Sequence, residues 1–233
     1  MVFELEGIEV NGANGRQRLS IDGLRLPANG MTVIVGPSGA GKSTLLRLFN
    51  RLENPDGGLI RFHGRPIGET DPLDLRRAVG MVFQEPVRFP GTVFDNLREA
   101  DPSIDERTAE SLLKRTGLDG TFLTRPADEL SGGEAQRMCI ARALATGPTV
   151  LLMDEPTSSL DPAATRQIEE QALALAETGV PVLWVTHDTG QMHRIASHVI
   201  CLIDGSVAYE GPAIDMPAAP DPRIAEFLAE RPS

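Results

Sequence analysis

The chain has few cysteines, few aromatic residues, a deficit of basic residues and no long apolar run. Only Cys139 and Cys201 are present, far apart and each in an apolar context. That excludes a disulfide framework and a CxxC metal pattern, and suits a reducing cytosol. Basic residues number 22 against 33 acidic, a formal charge of −11. Such a balance argues against nucleic acid as a main partner. No apolar stretch reaches the roughly 20 residues that a membrane-spanning helix needs, and the opening MVFELEGIEV has neither the basic nor the apolar region of a signal peptide. Any membrane role is expected to come through a partner. There is no internal repeat and no low-complexity block. What is present is 233 residues with 41% hydrophobic content, enough for one large α/β domain with a small subdomain.

The pattern along the chain alternates strands and helices. Residues 2–10 and 17–26 alternate apolar and polar, as in the strands of a half-exposed sheet. MTVIV (31–35) is a continuous β-branched run typical of a buried strand. VGMVF (79–83), TVLLM (149–153) and PVLWV (181–185) read the same way, with a helix over about 162–178 and a further strand and turn at 198–205. Between 85 and 145 the composition shifts to Pro- and Gly-containing loops and helical pieces, one of them at 104–117 ending on Gly117. The tail after Gly211 is Pro-rich, with a short amphipathic helix near 224–229. The expectation is an α/β fold with a mainly parallel sheet. Residues 1–84 and 146–211 form the core, 85–145 a helical subdomain and 212–233 a C-terminal tail.

Gly36-Pro37-Ser38-Gly39-Ala40-Gly41-Lys42-Ser43 fits GxxxxGK[ST] and runs on into Thr44. It follows an expected strand and opens an expected helix, the context that separates a phosphate loop from an ordinary glycine-rich turn. The glycines let backbone N–H groups wrap phosphates, Lys42 reaches the β- and γ-phosphates, and the Ser43 hydroxyl binds Mg²⁺. VLLMDEP (150–156) ends a strand in two carboxylates. By itself a DE pair is a weak signal, but beside a phosphate loop Asp154 can hold Mg²⁺ and Glu155 can orient or deprotonate a water. Gln84 follows VGMVF at another strand end and can touch Mg²⁺ and the attacking water; alone it would be an ordinary loop residue. His187 follows PVLWVT and can hydrogen-bond a γ-phosphate. A zinc site with His193 and His198 is disfavoured because the HxxxH helix spacing is missing.

LSGGEAQR (130–137) adds a second anion-ready feature. Ser131 and Glu134 form a capping-box pattern, with Gly132 and Gly133 between them. A helix N-terminus attracts anions, through its unpaired N–H groups and positive dipole end. Met138, Cys139 and Ile140 read as core of this helix, Trp184 as core beside the phosphate site, and Arg76-Arg77 as a solvated helix face.

The phosphate loop, Gln84, LSGGEAQR, MDEPTSSLD and VTHD stand in the order found in the ATPase subunits of ATP-binding cassette (ABC) transporters, which this chain resembles over about residues 2–210. The resemblance implies a P-loop NTPase core with an N-terminal antiparallel β subdomain. It also implies ATP and Mg²⁺ as cofactors, and a homodimer in which Ser131 and Gly133 bind the γ-phosphate of ATP held by the other subunit. Asp161 would lie at the dimer seam, Glu155 would be the catalytic base, and Gln84 would report nucleotide state to the helical subdomain. A groove there would receive a helix of an integral membrane permease, at the cytoplasmic face of the membrane. In one respect the chain departs from the family pattern. The region that supplies an aromatic residue for adenine, about 9–16, reads EVNGANGR, so weak base recognition and acceptance of GTP are expected. EPVRFPGTVFDNL resembles cassettes of phosphate importers and of iron-related exporters, and the short span from Gln84 to Ser131 leans to the second. A soluble ABC ATPase, such as one of iron–sulfur assembly, is the alternative to a permease partner.

Overall fold

A computed structural model describes residues 1–13 and 15–229. Its N-terminal strands β1 (Phe3–Asn11) and β2 (Gln17–Leu26) pair antiparallel. Their inward residues alternate as expected, but the buried set of β1 passes from Phe3 and Leu5 to Ile8 and Val10. The switch falls where β1 slips one residue against β4 (Gly57–Phe62). Such a bulge lets one strand keep its apolar face on the core while it twists.

The second sheet is built on β3 (Met31–Val35), and all five of its residues are buried. Its strands run in the order β10 (Ser206–Pro212), β9 (His198–Ile203), β3, β8 (Val182–Val185), β7 (Val150–Asp154), β6 (Val79–Val82). All pairings are parallel except β10 on β9. The apolar runs of β3, β7 and β8 are therefore interior strands covered on both faces, whereas VGMVF, expected to be buried as well, forms the edge strand β6 and leaves Phe83 exposed. The small strand β5 (Arg65–Pro66) completes the first sheet.

Helix α1 (Lys42–Phe49) fills the space between the two sheets, where Leu45, Leu48 and Phe49 meet Phe3, Leu152 and Leu183 in one apolar cluster. The other face of the parallel sheet carries a second cluster. Trp184, Met153 and Val33 of the strands pack there with Met138 and Ile140, joined by the helices of the 85–145 region. Those are α3 (Val93–Ala100), α4 (Glu106–Arg115) and α5 (Gly132–Ala145). The side chains of Thr92, Asp105 and Ser131 cap their N-termini.

Three features add to the sequence-based expectations, among them the tail, whose expected short helix near 224–229 is present. Helix α2 (Pro72–Ala78) places Arg76 against the end of α1, where it donates to the Asn50 and Arg51 carbonyls at 3.2 and 2.8 Å. Arg76 is thus a C-terminal tie for that helix, and not simply the solvated face expected. Strand β10 extends the sheet past the expected turn. The tail is an ordered wrap as far as Ala229, since Met216 and, from α8 (Pro222–Ala229), Ile224 and Phe227 join the second cluster. The expected tail's last residues, 230–233, and Asn14 of the EVNGANGR stretch lie outside the described residues.

Candidate nucleotide site

β3 delivers the chain to the phosphate loop, and α1 takes it away. Gly36 lies against β9 with φ 147°, and a Cβ there would fall 2.0 Å from the Leu202 carbonyl oxygen. Only glycine permits that approach. Lys42 is buried and donates from Nζ to the Gly36 and Pro37 carbonyls at 2.8 and 2.9 Å. Burial lowers its pKa, while the nearby carboxylates of Glu155 and Asp154 pull the other way.

The Ser43 hydroxyl donates to Asp154 Oδ1 at 2.8 Å. Burial raises the Asp154 pKa, against the opposing pull of the Ser43 hydrogen bond and of Arg47, 3.9 Å away on α1. A hydroxyl and a carboxylate oxygen side by side form a hard donor set that fits Mg²⁺. Glu155 follows at φ 44°, a left-handed conformation that costs a non-glycine residue about 1–3 kcal/mol. Its N–H donates to the Val185 carbonyl at 3.1 Å, and its Oε2 shares a hydrogen bond with His187 Nδ1, also at 3.1 Å. The ends of β7 and β8 thus bring the two side chains together. Glu155 and His187 line one cavity of about 540 Å³ with Ser38, Gly39, Lys42 and Ser43. Gln84 is turned aside and donates to the Ser158 hydroxyl at 3.2 Å. Among the described residues no group of three or more His, Cys, Asp or Glu is placed to hold a metal ion.

LSGGE forms a separate site. Both halves of the capping box are present: the Ser131 N–H donates to Glu134 Oε2 at 2.8 Å, and the Glu134 N–H to Ser131 Oγ at 3.3 Å. Asp161 caps α6 (Pro162–Glu177), accepting from the Ala163 and Ala164 N–H groups. These two bonds hold its carboxyl below the usual range. The starts of α5 and α6 meet closely, and a Cβ on Gly133 would lie 3.2 Å from Ala164 Cβ. The glycines therefore also serve packing within the chain, a role the sequence did not suggest. Ser131, Gly132, Gly133 and Asp161 share a cavity of about 390 Å³ that has no lining residue in common with the Lys42 cavity.

The ABC transporter family model matches residues 19–158, more than half of the chain. The chain belongs to the ABC transporter family. It is an ATPase of that family, an ATP-binding cassette. It is 40% identical to a phosphate import ATP-binding protein, PstB, of Thermococcus kodakarensis, across 97% of each chain. It is 42% identical to Protein STAR1 of Oryza sativa subsp. japonica over 93% of its own length, and spans 64% of that relative. A solved cassette in a dimeric post-hydrolysis state bound to ADP and Pi superposes with a TM-score of 0.79 at 29% identity, covering 91% of this chain and 98% of the other.

Around the site, the cassette contains residues that sequence reasoning passed over. Gln191 of α7 (Thr189–Ile195) accepts from Trp184 Nε1 at 3.0 Å and donates to Thr157 Oγ1 at 3.0 Å and Glu169 Oε1 at 2.8 Å. Arg194 closes the group with two bonds to Glu169. The spacing of Asp188 and Gln191, a cap residue with Gln three places on, was the available signal. Arg18 of β2 reaches the Thr44 hydroxyl and Glu53 on the far side of the loop. No local pattern announces that contact.

Proposed function

We propose that this cassette acts as a head-to-tail homodimer with two ATPs at its seam, driving a separate integral membrane permease from the cytoplasmic face of the membrane. The observation that carries the reading is the separation of the two anion-ready sites. One chain presents a phosphate loop and an LSGGE helix end in cavities with no common lining. A second copy turned head to tail would cover each loop with the opposite helix end.

In that arrangement residues 36–44 hold the ATP phosphates, with Lys42 on the β- and γ-phosphates. Ser43 and Asp154, joined by Gln84 once it leaves Ser158, hold Mg²⁺. The metal when bound neutralises developing phosphate charge. Glu155 takes a proton from the attacking water, which adds to the γ-phosphorus and releases ADP and phosphate. His187 holds the γ-phosphate and, through its bond to Glu155, orients the base. Ser131, Gly132 and Gly133 cover the γ-phosphate of the partner's ATP, and Asp161 links the two sites across the seam.

The segment after Gln84 supports a route to the permease. Gln136 on α5 donates to the Phe83 carbonyl at 3.0 Å, and Arg142 to that of Val87 at 2.9 Å. Phe83, Val87 and Phe89 remain largely exposed for a large apolar type, at 40–47%. A movement of Gln84 would therefore pull on the LSGGE helix and on an apolar surface fit for a permease helix. Among the described residues no helix is long and apolar enough to cross a membrane. The cargo we propose is phosphate or a metal ion such as iron, on the EPVRFPGTVFDNL resemblance and the likeness to PstB.

Light scattering tests the dimer. Glu155→Gln should dimerise only with Mg²⁺ and ATP, and adding Ser131→Arg should return it to monomer while the fold persists. A monomer at saturating ATP, or a dimer indifferent to Ser131→Arg, would refute the shared site. Glu155→Gln should also lower hydrolysis by about 10²–10⁴-fold, the usual worth of a general base.

A further inference from the structure

The Lys42 cavity adjoins another at each end. Towards Glu155 and His187, which line both, it meets a cavity bounded by Thr157, Ser158 and Gln191. At the opposite end it shares Arg18, Ser38 and Gly39 with a cavity of about 750 Å³, lined also by Gly12, Gln17 and Asp204. With the phosphates along residues 36–44 and the γ-phosphate facing Glu155, as proposed above, the nucleoside of ATP must enter this larger cavity. Among the described residues no aromatic side chain lines it.

Two guanidinium groups line this region: Arg16 borders the larger cavity alone, and Arg18 borders both, at their boundary. Arg18 lies in an ion pair with Glu53 and donates to the Thr44 hydroxyl. Both are edge contacts, made in the guanidinium plane by its N–H groups. Its side chain is 41% exposed and borders both cavities, and edge bonds of this kind do not occupy the faces of the plane. A guanidinium face stacks on aromatic rings, and one held at its edges loses little freedom in doing so.

We propose that Arg18 is the platform on which the nucleobase stacks, with Glu53 and Thr44 as its positioning partners. A face contact reads no hydrogen-bonding edge of the base. Adenine and guanine are therefore held alike, and the triphosphate supplies most of the affinity. This inference rests on the phosphate-loop reading, and the experiment separates the two.

Calorimetric titrations of the full chain with Mg²⁺ use three probes: the imido analogue of ATP, that of GTP, and inorganic tripolyphosphate. The wild type should bind the two nucleotides within about threefold of each other. Arg18→Ala should weaken both by about tenfold, the scale of a partly exposed cation–π contact, and leave tripolyphosphate unchanged. Arg18→Lys, which keeps the charge but not the plane, should behave like Arg18→Ala. The proposal is overturned if a variant with wild-type Tm loses tripolyphosphate as much as nucleotide, or if Arg18→Lys restores binding, since Arg18 would then act as a charge on the phosphates. Unchanged nucleotide binding in Arg18→Ala, or a preference for ATP over GTP above about tenfold, overturns it as well. Tripolyphosphate binding that survives Lys42→Ala would instead remove the phosphate-loop reading beneath it.

Discussion

Replacing Gln191 by Glu should make the stability of this cassette fall with rising pH. Gln191 is 3% exposed and ties four elements together through Trp184, Thr157, Glu169 and its own helix cap Asp188. In the variant an oxygen stands where Nε2 now donates, 2.8 Å from Glu169 Oε1. Two ionised carboxylates cannot share that distance, so the introduced carboxyl stays protonated in the folded state. Its folded pKa is raised above the unfolded value of about 4.3. The folded state then binds the extra proton, so stability is intact below the unfolded pKa and falls as pH rises towards the folded one. The slope approaches 1.4 kcal/mol per pH unit. Arg194, paired with Glu169, limits the shift; with a shift of about two units the loss near neutrality is about 3 kcal/mol. Gln191→Leu removes the acceptor of the wholly buried Trp184 N–H and should cost about 1–3 kcal/mol at every pH. Urea unfolding followed by the emission of Trp184, the single tryptophan, measures both variants between about pH 4.5 and 8, a range that runs from near the unfolded pKa to above the folded one. Parallel pH profiles for the two, or a Glu variant as stable as the wild type near pH 8, would refute the reasoning.

Other outcomes follow from the site. Both thiols are buried with raised pKa values, Cys201 to about 12. Neither should react with iodoacetamide near pH 8 until urea unfolds the chain, and stoichiometric labelling of the native protein would contradict that. Gly36→Ala should abolish nucleotide binding, because the new Cβ would collide with the Leu202 backbone; retained ATP binding would show that β9 and the loop can part. Lys42→Ala should lose binding and hydrolysis together. In the wild type, ATP affinity should decline on the alkaline side before pH reaches the ordinary lysine value of 10.5, as the lowered Lys42 loses its proton. Lys42→Arg should bind without that decline, since a guanidinium keeps its charge there.

Much of this protein is local in sequence. The apolar runs at 33–35, 150–153 and 182–185 have no polar positions to place on a wet face, so they are interior strands wherever they pair. GPSGAGKST encodes its own loop, because glycine placement and backbone N–H groups act within nine residues. The Ser131–Glu134 capping box is likewise a four-residue device, present as expected in both halves. Contacts between side chains distant in the chain had no such signature. Arg18 meets Thr44 and Glu53 only after β2 is laid beside α1, and Gln191 meets Glu169 only after α6 and α7 pack on the same sheet. The approach of Gly133 to Ala164 and the order of the tail against the second core are packing outcomes of the same kind. Backbone chemistry acts over a few bonds and leaves motifs that can be read in one dimension. The orientation of Glu155 towards His187, and the division of the anion-ready ends between two cavities, depend on strand order and helix placement, which the whole chain decides together.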